Sequence, residues 1–447
     1  MKHSWQRILT HKGMIFFQKF LCDFAVKNKQ MNPIYIVLSV NGRLYQITNK
    51  LMKCRSFRVF IIPLLLLISA TTFAQDKLTA NGYLKFLSMC YHPNIEIPGI
   101  EKDYLAVSNI HNRLNFKWYA SDALTFALES RNRIIFGQLV IDYPSSPEYP
   151  DYKSTVDVDN GFFGLSTILA SGDSWFLHAF IDRAWMDYTK GDFQARIGRQ
   201  RINWGVNLIW NANDIFNTFS YFDFDYEERP GTDAIKLQYY TGMTSSAELV
   251  YKLGRNPDEM ALAGMYRFNK WSYDIQFFGG WVGTDYVAGA GWAGDIKGAG
   301  FRGEVSWFTP KKEGSTSKEA LVAAISGDYS FKNSLYLHGA LLYNSLGTTG
   351  NAGGRSFFEQ NLSAKMLSLA KYSIFGQVSL PFTPIISGSF SGMLNPSDKS
   401  YYFGPALTYS LGDNLELMLT GQLFFGGPET EFGDYGQVIY GRLKWAF

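Results

Sequence analysis

IHNRLNFKWYASDALTFALESRNRIIF, residues 110–136, alternates apolar and polar side chains twice in succession, around a short break at Ala120, Ser121 and Asp122. In the first run Ile110, Leu114, Phe116 and Trp118 share one side, and Asn109, His111, Arg113, Asn115 and Lys117 the other. Side chains that alternate with period two belong to a strand. In the second run Leu124, Phe126, Leu128, Ile134 and Phe136 oppose Thr125, Glu129, Arg131 and Arg133. The two runs read as a hairpin with one apolar face and one charged face. A soluble sandwich would bury the apolar face and would seldom carry Phe and Trp at both ends of it. A membrane barrel turns that face to lipid and the charged face to a wet lumen, with aromatics at both interfaces.

Composition supports the second setting. The chain has 447 residues, 17% of them aromatic, and 42 glycines. No run of 18 or more apolar residues follows residue 75, so any membrane span has to be built of strands, because only helices and closed barrels satisfy their backbone in lipid. A mean hydropathy of −0.10 fits alternating strands, whose two faces cancel.

The first 75 residues read as leader sequence. Lys53, Arg55 and Arg58 precede an apolar core over residues 59–70, and Thr71, Thr72, Phe73, Ala74 and Gln75 follow as a small-residue cleavage region. Residues 52–75 are therefore expected to be a Sec-type signal peptide and residues 1–51 an upstream or mis-called extension. The barrel then occupies residues 76–447, with no second globular domain. Residues 1–75 hold 11 of the 42 Lys/Arg and one of the 39 Asp/Glu, leaving 31 basic against 38 acidic and a formal charge of −7. That excludes a nucleic-acid partner inferred from the basic pI of the whole chain.

From Asp76 onward, about eighteen runs of roughly ten residues can be read as tilted membrane strands. Turn formers mark tight connections near residues 120–122, 189–191, 242–245, 269–270, 297–298, 332–333, 381–384 and 412–414. Looser ones fall at 92–103, 137–174, 203–231, 254–258, 282–286, 309–318, 345–363, 395–399 and 426–435. Alternation of short and long connections is the plan of an all-β, up-and-down antiparallel transmembrane barrel of 16 to 18 strands, short turns in the periplasm and long loops outside, with 18 the count the runs support. The last run alternates Ile439, Leu443, Trp445 and Phe447 with Arg442 and Lys444. Trp445 and the terminal Phe447 resemble the C-terminal signal that outer-membrane barrels present to their assembly machinery.

Placing polar residues on the lumenal face predicts an uneven wall. Lys85, His111, Arg113, Lys117, Arg131, Arg133, Arg196 and Lys236 come from the early strands, and Arg442 and Lys444 from the last, which closure sets beside the first. Opposite stand Glu248, Glu259, Asp274, Asp295, Glu304, Asp328 and Glu416. Such a wall attracts anions. Arg199 and Arg201 break the alternation, and a bulge at Gly198 would turn both inward. Asp182 and Arg183 pose the same problem one strand earlier. Two loops could narrow the pore. Residues 137–174 carry an apolar segment at 164–170 that fits a constriction folded into the lumen, whereas the acids of residues 223–228 (DFDYEE) read as an exposed patch near the mouth.

Arg196, Ile197, Gly198, Arg199 and Gln200, then Trp204 and Gly205, then Asn213, Asp214, Ile215, Phe216 and Asn217, resemble a strand and loop of porin-like outer-membrane proteins, including the alginate-export group. The cleavage region resembles those of Bacteroidetes. The resemblance implies an arginine-lined conduit for an anionic sugar polymer, with Arg196, Arg199 and Arg201 as lumenal anion contacts.

Catalytic patterns find no support. After residue 75 the His residues, His92, His111, His178 and His338, are scattered, no His-x-x-x-His occurs and Cys90 has no second Cys beside it for metal, and no Ser lies in a nucleophile elbow. No cofactor or metal is expected. The sequence reads as a Gram-negative outer-membrane porin for small hydrophilic, anionic or saccharide solutes, contacting lipid and lipopolysaccharide. The alternative is a barrel plugged by its loops that serves as a surface saccharide-binding or assembly protein.

Overall fold

The computed structural model describes residues 77–95, 103–143, 151–312, 316–353 and 363–447. The leader expected over residues 1–75 lies outside them. The first strands are β1 (Leu78–His92), β2 (Leu105–Ser121), β3 (Leu124–Gly137), β4 (Ser166–Ser171), β5 (Trp175–Lys190) and β6 (Phe193–Gln200). Next come β7 (Thr232–Gly242), β8 (Ser245–Lys252), β9 (Ala261–Lys270), β10 (Tyr273–Val282), β11 (Asp285–Ile296), β12 (Ala299–Pro310) and β13 (Ala320–Ser330). The set ends with β14 (Tyr336–Asn344), β15 (Tyr372–Thr383), β16 (Ile386–Leu394), β17 (Tyr401–Gly412), β18 (Leu415–Phe425) and β19 (Gln437–Ala446). Two short helices, α1 (Gln138–Asp142) and α2 (Tyr152–Val156), lie between β3 and β4.

Eighteen of these strands close an antiparallel barrel in which each pairs with its sequence neighbours and β19 returns to β1, with Lys444 opposite Lys85. The tight turns stand where the turn formers placed them, and both ends of the barrel, Leu78 and Ala446, lie at the short-turn end. One connection read as loose is tight: Val282 pairs directly with Asp285, leaving only Gly283 and Thr284 between them.

β4 is the strand outside the ring. β6 pairs with β5 only between Ala184 and Lys190, and β4 takes the vacated edge of β5 from Phe176 to Phe180. An unpaired stretch of β5 would leave backbone polar groups open to hydrocarbon, so β4 completes the wall where β6 stops short. The apolar segment 164–170 thus extends the wall and does not constrict the lumen, and Leu169 is 60% exposed.

Period two survives in three dimensions. Leu128, Ile134, Leu249, Phe277, Leu341 and Leu407 are all exposed on the outer face, a band that hydrocarbon solvates better than water. Trp118, Tyr239, Trp271 and Trp445 ring that face near the short turns, and Trp175, Tyr286, Trp307 and Tyr401 ring it near the loops. None of Leu114, Phe116, Leu415 and Leu417 is buried in a protein interior.

The alternation slips once near the arginine-rich strand, and the slip is on β5. Glu129 and Ser130, adjacent on β3, face Arg183 and Ile181, which makes Asp182 the extra residue of a β-bulge. The bulge expected at Gly198 does not form: β6 runs in register past it on both sides. Gly198 instead takes φ of 119°, and a Cβ there would strike the Ala184 carbonyl.

Candidate functional site

Strand register assembles the basic wall from opposite ends of the chain. Lys444, Lys85, His111, Arg133 and His178 stand directly opposite one another across β19, β1, β2, β3 and β5, one continuous lumenal row. Arg113 and Arg131 face each other in the next row toward the short turns. Closure is what makes the sector continuous, because it joins the first strand to the last.

At Gln200 the chain leaves the wall and residues 201–231 enter the lumen. The first half of this loop docks on the acidic side. Glu304 of β12 accepts the backbone N–H groups of Val206 (2.5 Å), Asn207 (2.7 Å) and Asn213 (2.8 Å). Trp204 donates its indole N–H to Glu248 at 2.5 Å, and Gln276 donates to the Trp204 carbonyl at 2.5 Å. Ser306 donates to the Ala212 carbonyl, and Ser326 to Asn207 Oδ1. Gly291 gives the room for this approach, since a Cβ there would meet the Asn213 amide. Ile202, Trp204, Trp210 and Phe216 then pack with Phe278, Phe308, Phe375 and Phe424 of the wall into an apolar core inside the barrel.

The second half docks on the basic side, through the acids of residues 223–228. Lys85 donates to Asp225 at 2.5 Å, Arg442 and Lys444 to Glu227 at 2.6 and 2.7 Å, and Arg113 lies 3.6 Å from Glu228. The Arg131 guanidinium sits 3.9 Å from the Tyr226 ring centroid, while the Tyr226 hydroxyl donates to Asp182. Asp182, fully buried at the β5 bulge, also holds Arg113 at 2.7 Å. The acidic patch read as exposed at the mouth is therefore the counter-charge of the basic wall, and the inward loop is 201–231 where residues 137–174 had been the expectation.

The remaining cations are divided. Arg196 points inward, paired with Asp187 at 2.7 Å and 4.3 Å from the Trp185 ring centroid, and Lys236 lies 3.6 Å from Glu248. Lys117 is exposed at the short-turn rim. Arg201 has entered the loop and donates to Asn203 at 3.0 Å. Arg199 stands opposite Ala184 and Asp233 on the outer face, against the inward placement that the arginine-lined conduit requires. It is 2% exposed there because Asp233 (2.8 Å) and Asp159 (2.9 Å) neutralise it and the Phe163 carbonyl accepts from it at 2.7 Å. Gly161 closes over the pair, with its backbone where a Cβ would strike both Arg199 and Asp233. A charge that faces outward costs a few kcal/mol in hydrocarbon, and a cap of loop and carboxylates removes that exposure.

The acidic set is also split. Glu248 and Glu304 anchor the loop. Glu416 lies beside the basic wall, holding Arg442 at 2.6 Å, and Asp328 pairs with Arg302. Asp274 accepts from Asn269, and Asp295 caps the Gly298 N–H of a turn. Glu259 is off the wall, in a short 3-10 turn before β9, where it accepts the Arg255 N–H. The Trp445 and Phe447 rings lie 5.3 Å apart, tilted at 46°, and Phe447 exchanges backbone hydrogen bonds with Gly82. Missed in the sequence were Glu227 and Glu228 as lumenal groups; four acids within six residues, facing a run of lumenal Arg and Lys, was the available signal.

Burial shifts the loop's own titrations. Asp214, fully buried, is pushed up to about 7 by desolvation, against the opposing pull of Arg201. Burial also raises Asp223, and it lowers Arg229 to about 10. For Glu227 burial raises the carboxyl, but Lys444 and Arg442 more than offset it and the net shift is downward. The raised Asp214 stabilises the docked loop fully below its ordinary value of 3.8, and that contribution is lost as pH rises through about 7. Loop-dependent current fluctuations in planar bilayers are accordingly expected to grow between pH 5 and pH 8, and Asp214→Asn to flatten that dependence; a variant with the same pH profile refutes the assignment.

No family model and no curated protein sequence matches the chain. Solved structures do match. OccAB4 of Acinetobacter baumannii superposes with a TM-score of 0.52 at 10% identity, over 84% of this chain and 99% of that one. OccK1 (OpdK) of Pseudomonas aeruginosa gives 0.51 at 8% identity, over 83% and 99%. OccAB2 of Acinetobacter baumannii gives 0.50 at 8% identity, over 83% and 98%. These neighbours are outer-membrane porins of the Occ/OprD type, and at such low identity what this chain shares with them is the 18-strand barrel.

Proposed function

We propose that this chain is an outer-membrane channel for small hydrophilic solutes, kept narrow by residues 201–231 and weakly anion-preferring. The observation that carries the reading is the loop itself, which crosses the lumen and is pinned to Glu304 and Glu248 on one side and to Lys85, Arg442 and Lys444 on the other. A solute crossing the lumen passes between that strap and the wall, so the gap and its charges select what enters. The structural neighbours are porins, which supports transport as the role of this barrel.

Anion preference rests on Arg131 and Arg133. Among the described residues neither stands in a carboxylate ion pair: Arg131 stacks on Tyr226 and Arg133 lies 3.0 Å from His178 Nδ1. They remain as lumenal positive charge after the loop acids have taken their partners. A conduit for an anionic sugar polymer, which the likeness to alginate-export barrels suggests, loses Arg199 as a contact but keeps Arg196.

Reversal potentials in a salt gradient test the proposal. The wild type is expected to favour anions modestly, and Arg131→Gln with Arg133→Gln to bring the permeability ratio toward unity. Unchanged selectivity in the double variant refutes the basic wall. A wild-type protein that inserts but carries no ionic current refutes the channel and favours the plugged, saccharide-binding barrel.

A further inference from the structure

The two ends of the strap bring together a set of cations that the basic wall does not include. β6 ends at Gln200, which stands opposite Thr232 of β7, so Arg201 on the way in and residues 228–231 on the way out are neighbours. Three guanidinium groups meet there on one stretch of backbone. Arg183 donates to the Glu228 and Arg229 carbonyls at 2.9 and 2.7 Å, and Arg201 reaches the Glu228 carbonyl at 3.5 Å. Arg229 belongs to the same stretch and lays its guanidinium on Phe219, 3.2 Å from the ring centroid.

Arg183 is matched by Asp182 at 3.1 Å, whereas Arg201 and Arg229 are half-buried and, among the described residues, close no ion pair. Arg201 donates to the Asn203 side-chain oxygen at 3.0 Å, and Arg229 has its contact with Phe219. The acid whose charge both of them feel is Asp214, which is fully buried and paired with neither. Burial and repulsion by Arg201 outweigh Asp214 at Arg229 and lower it to about 10. The backbone at Arg229 is also strained. It takes φ of 58°, a left-handed conformation, and does so before Pro230, where extended backbone is preferred. Its N–H donates to the Tyr226 carbonyl at 3.1 Å, which closes the turn. Strain retained at a half-buried cation without a counter-charge points to a use for the group it positions.

We propose that Arg201 and Arg229 together bind a tetrahedral oxyanion, a phosphate or sulfate group that is either free or carried on a small solute. A guanidinium presents its N–H donors along its planar edge, so stacking on Phe219 leaves those of Arg229 open. A carboxylate offers two oxygens in one plane and is filled by one such fork. A tetrahedral dianion has acceptors on more than one side, takes both forks at once and balances both charges. As a step of the transport path the inference rests on the channel reading; as a binding site it does not.

The test is calorimetric, on the full folded chain in detergent at pH 8 and constant ionic strength, with sulfate, inorganic phosphate and glucose 6-phosphate as probes and acetate as the planar control. Sulfate and phosphate are expected to bind at least tenfold tighter than acetate. Arg201→Gln and Arg229→Gln should each weaken sulfate at least tenfold, and Arg229→Lys, which keeps the charge without the fork, should recover little of the loss. Asp214→Asn removes a negative charge that both arginines feel and should tighten sulfate several-fold. Acetate bound as tightly as sulfate, or sulfate bound equally well by both glutamine variants, overturns the site. Should neither glutamine variant fold, Asp214→Asn decides, and sulfate affinity that is unchanged or weaker there overturns it. Glucose 6-phosphate binding on equal terms supports a site for the phosphoryl group of a solute, and inorganic phosphate binding alone supports a site for the free ion. Bilayer conductance is read separately, so sulfate binding without current sinks the channel and leaves the site standing.

Discussion

Neutralising the strap's acids together, as Asp225→Asn, Glu227→Gln and Glu228→Gln, is expected to raise single-channel conductance several-fold and to shift selectivity strongly toward anions. Each of the three carboxylates meets a wall cation: Lys85 at 2.5 Å, Arg442 and Lys444 at 2.6 and 2.7 Å, and Arg113 at 3.6 Å. Those pairs hold the second half of the loop together with the donation of Tyr226 to Asp182, of Arg183 to the Glu228 and Arg229 carbonyls at 2.9 and 2.7 Å, and of Gln422 to the Phe222 carbonyl at 2.8 Å. The first half has its own anchor in Glu304 and an apolar core around Trp204, so it stays in place and the barrel remains closed. Removing the acids both frees the strap and strips Lys85 and Lys444 of their carboxylates, while Arg113 keeps Glu129 and Asp182 and Arg442 keeps Glu416. The two bared ammonium groups act on permeant ions with little screening in a low-dielectric tube. Two effects of one sign make this the largest change in transport open to a few isosteric substitutions. A variant that conducts like the wild type would show that the strap is held by packing alone and that the pairs are incidental.

The largest effect on stability belongs to Arg199. Arg199→Met is expected to cost about 3–5 kcal/mol, because it strands Asp233 and Asp159 beneath Gly161 on the outer face without a counter-charge. Asp233 is 1% exposed, so water does not reach it in place of the guanidinium. Urea unfolding of the barrel in lipid vesicles measures the loss. Arg199→Met combined with Asp233→Leu should recover most of it, since a buried ion pair replaced by apolar groups of similar volume is close to neutral. A single variant within 1 kcal/mol of the wild type, or a double variant worse than the single, would refute the outward, capped placement. Transport separates the two roles cleanly: an outward Arg199 leaves selectivity unchanged on substitution, whereas the lumenal role suggested by the alginate-export likeness would alter it.

The architecture was legible because it is local. Ile110 beside His111 and Phe116 beside Lys117 state which side faces oil and which faces water, and the statement is complete within ten residues. Turn formers at 120–122 and 297–298 then set the pairing, and neighbour-to-neighbour pairing leaves closure of β19 on β1 as the remaining step. The same rule placed Lys85, His111, Arg133 and Lys444 on one lumenal row, because their faces follow from alternation and their adjacency from closure. Where a bulge intervenes the rule shows that alternation breaks, as at Asp182 and Arg183, without saying which strand takes the extra residue. The slip falls at Asp182, and Gly198, the more suggestive residue, serves a different need: its backbone approaches the Ala184 carbonyl at a φ other residues avoid.

Sequence alone therefore determined the barrel, its strand count and the outward aromatic girdles, since period two is the direct imprint of two solvents on a pleated chain. Tertiary structure decided which long loop turns inward. Val206 meets Glu304 across 98 residues, Lys85 meets Asp225 across 140 and Arg442 meets Glu227 across 215. No periodicity connects such partners; they are selected by the three-dimensional match of a strap's donors and acids to walls that exist only once the cylinder has closed.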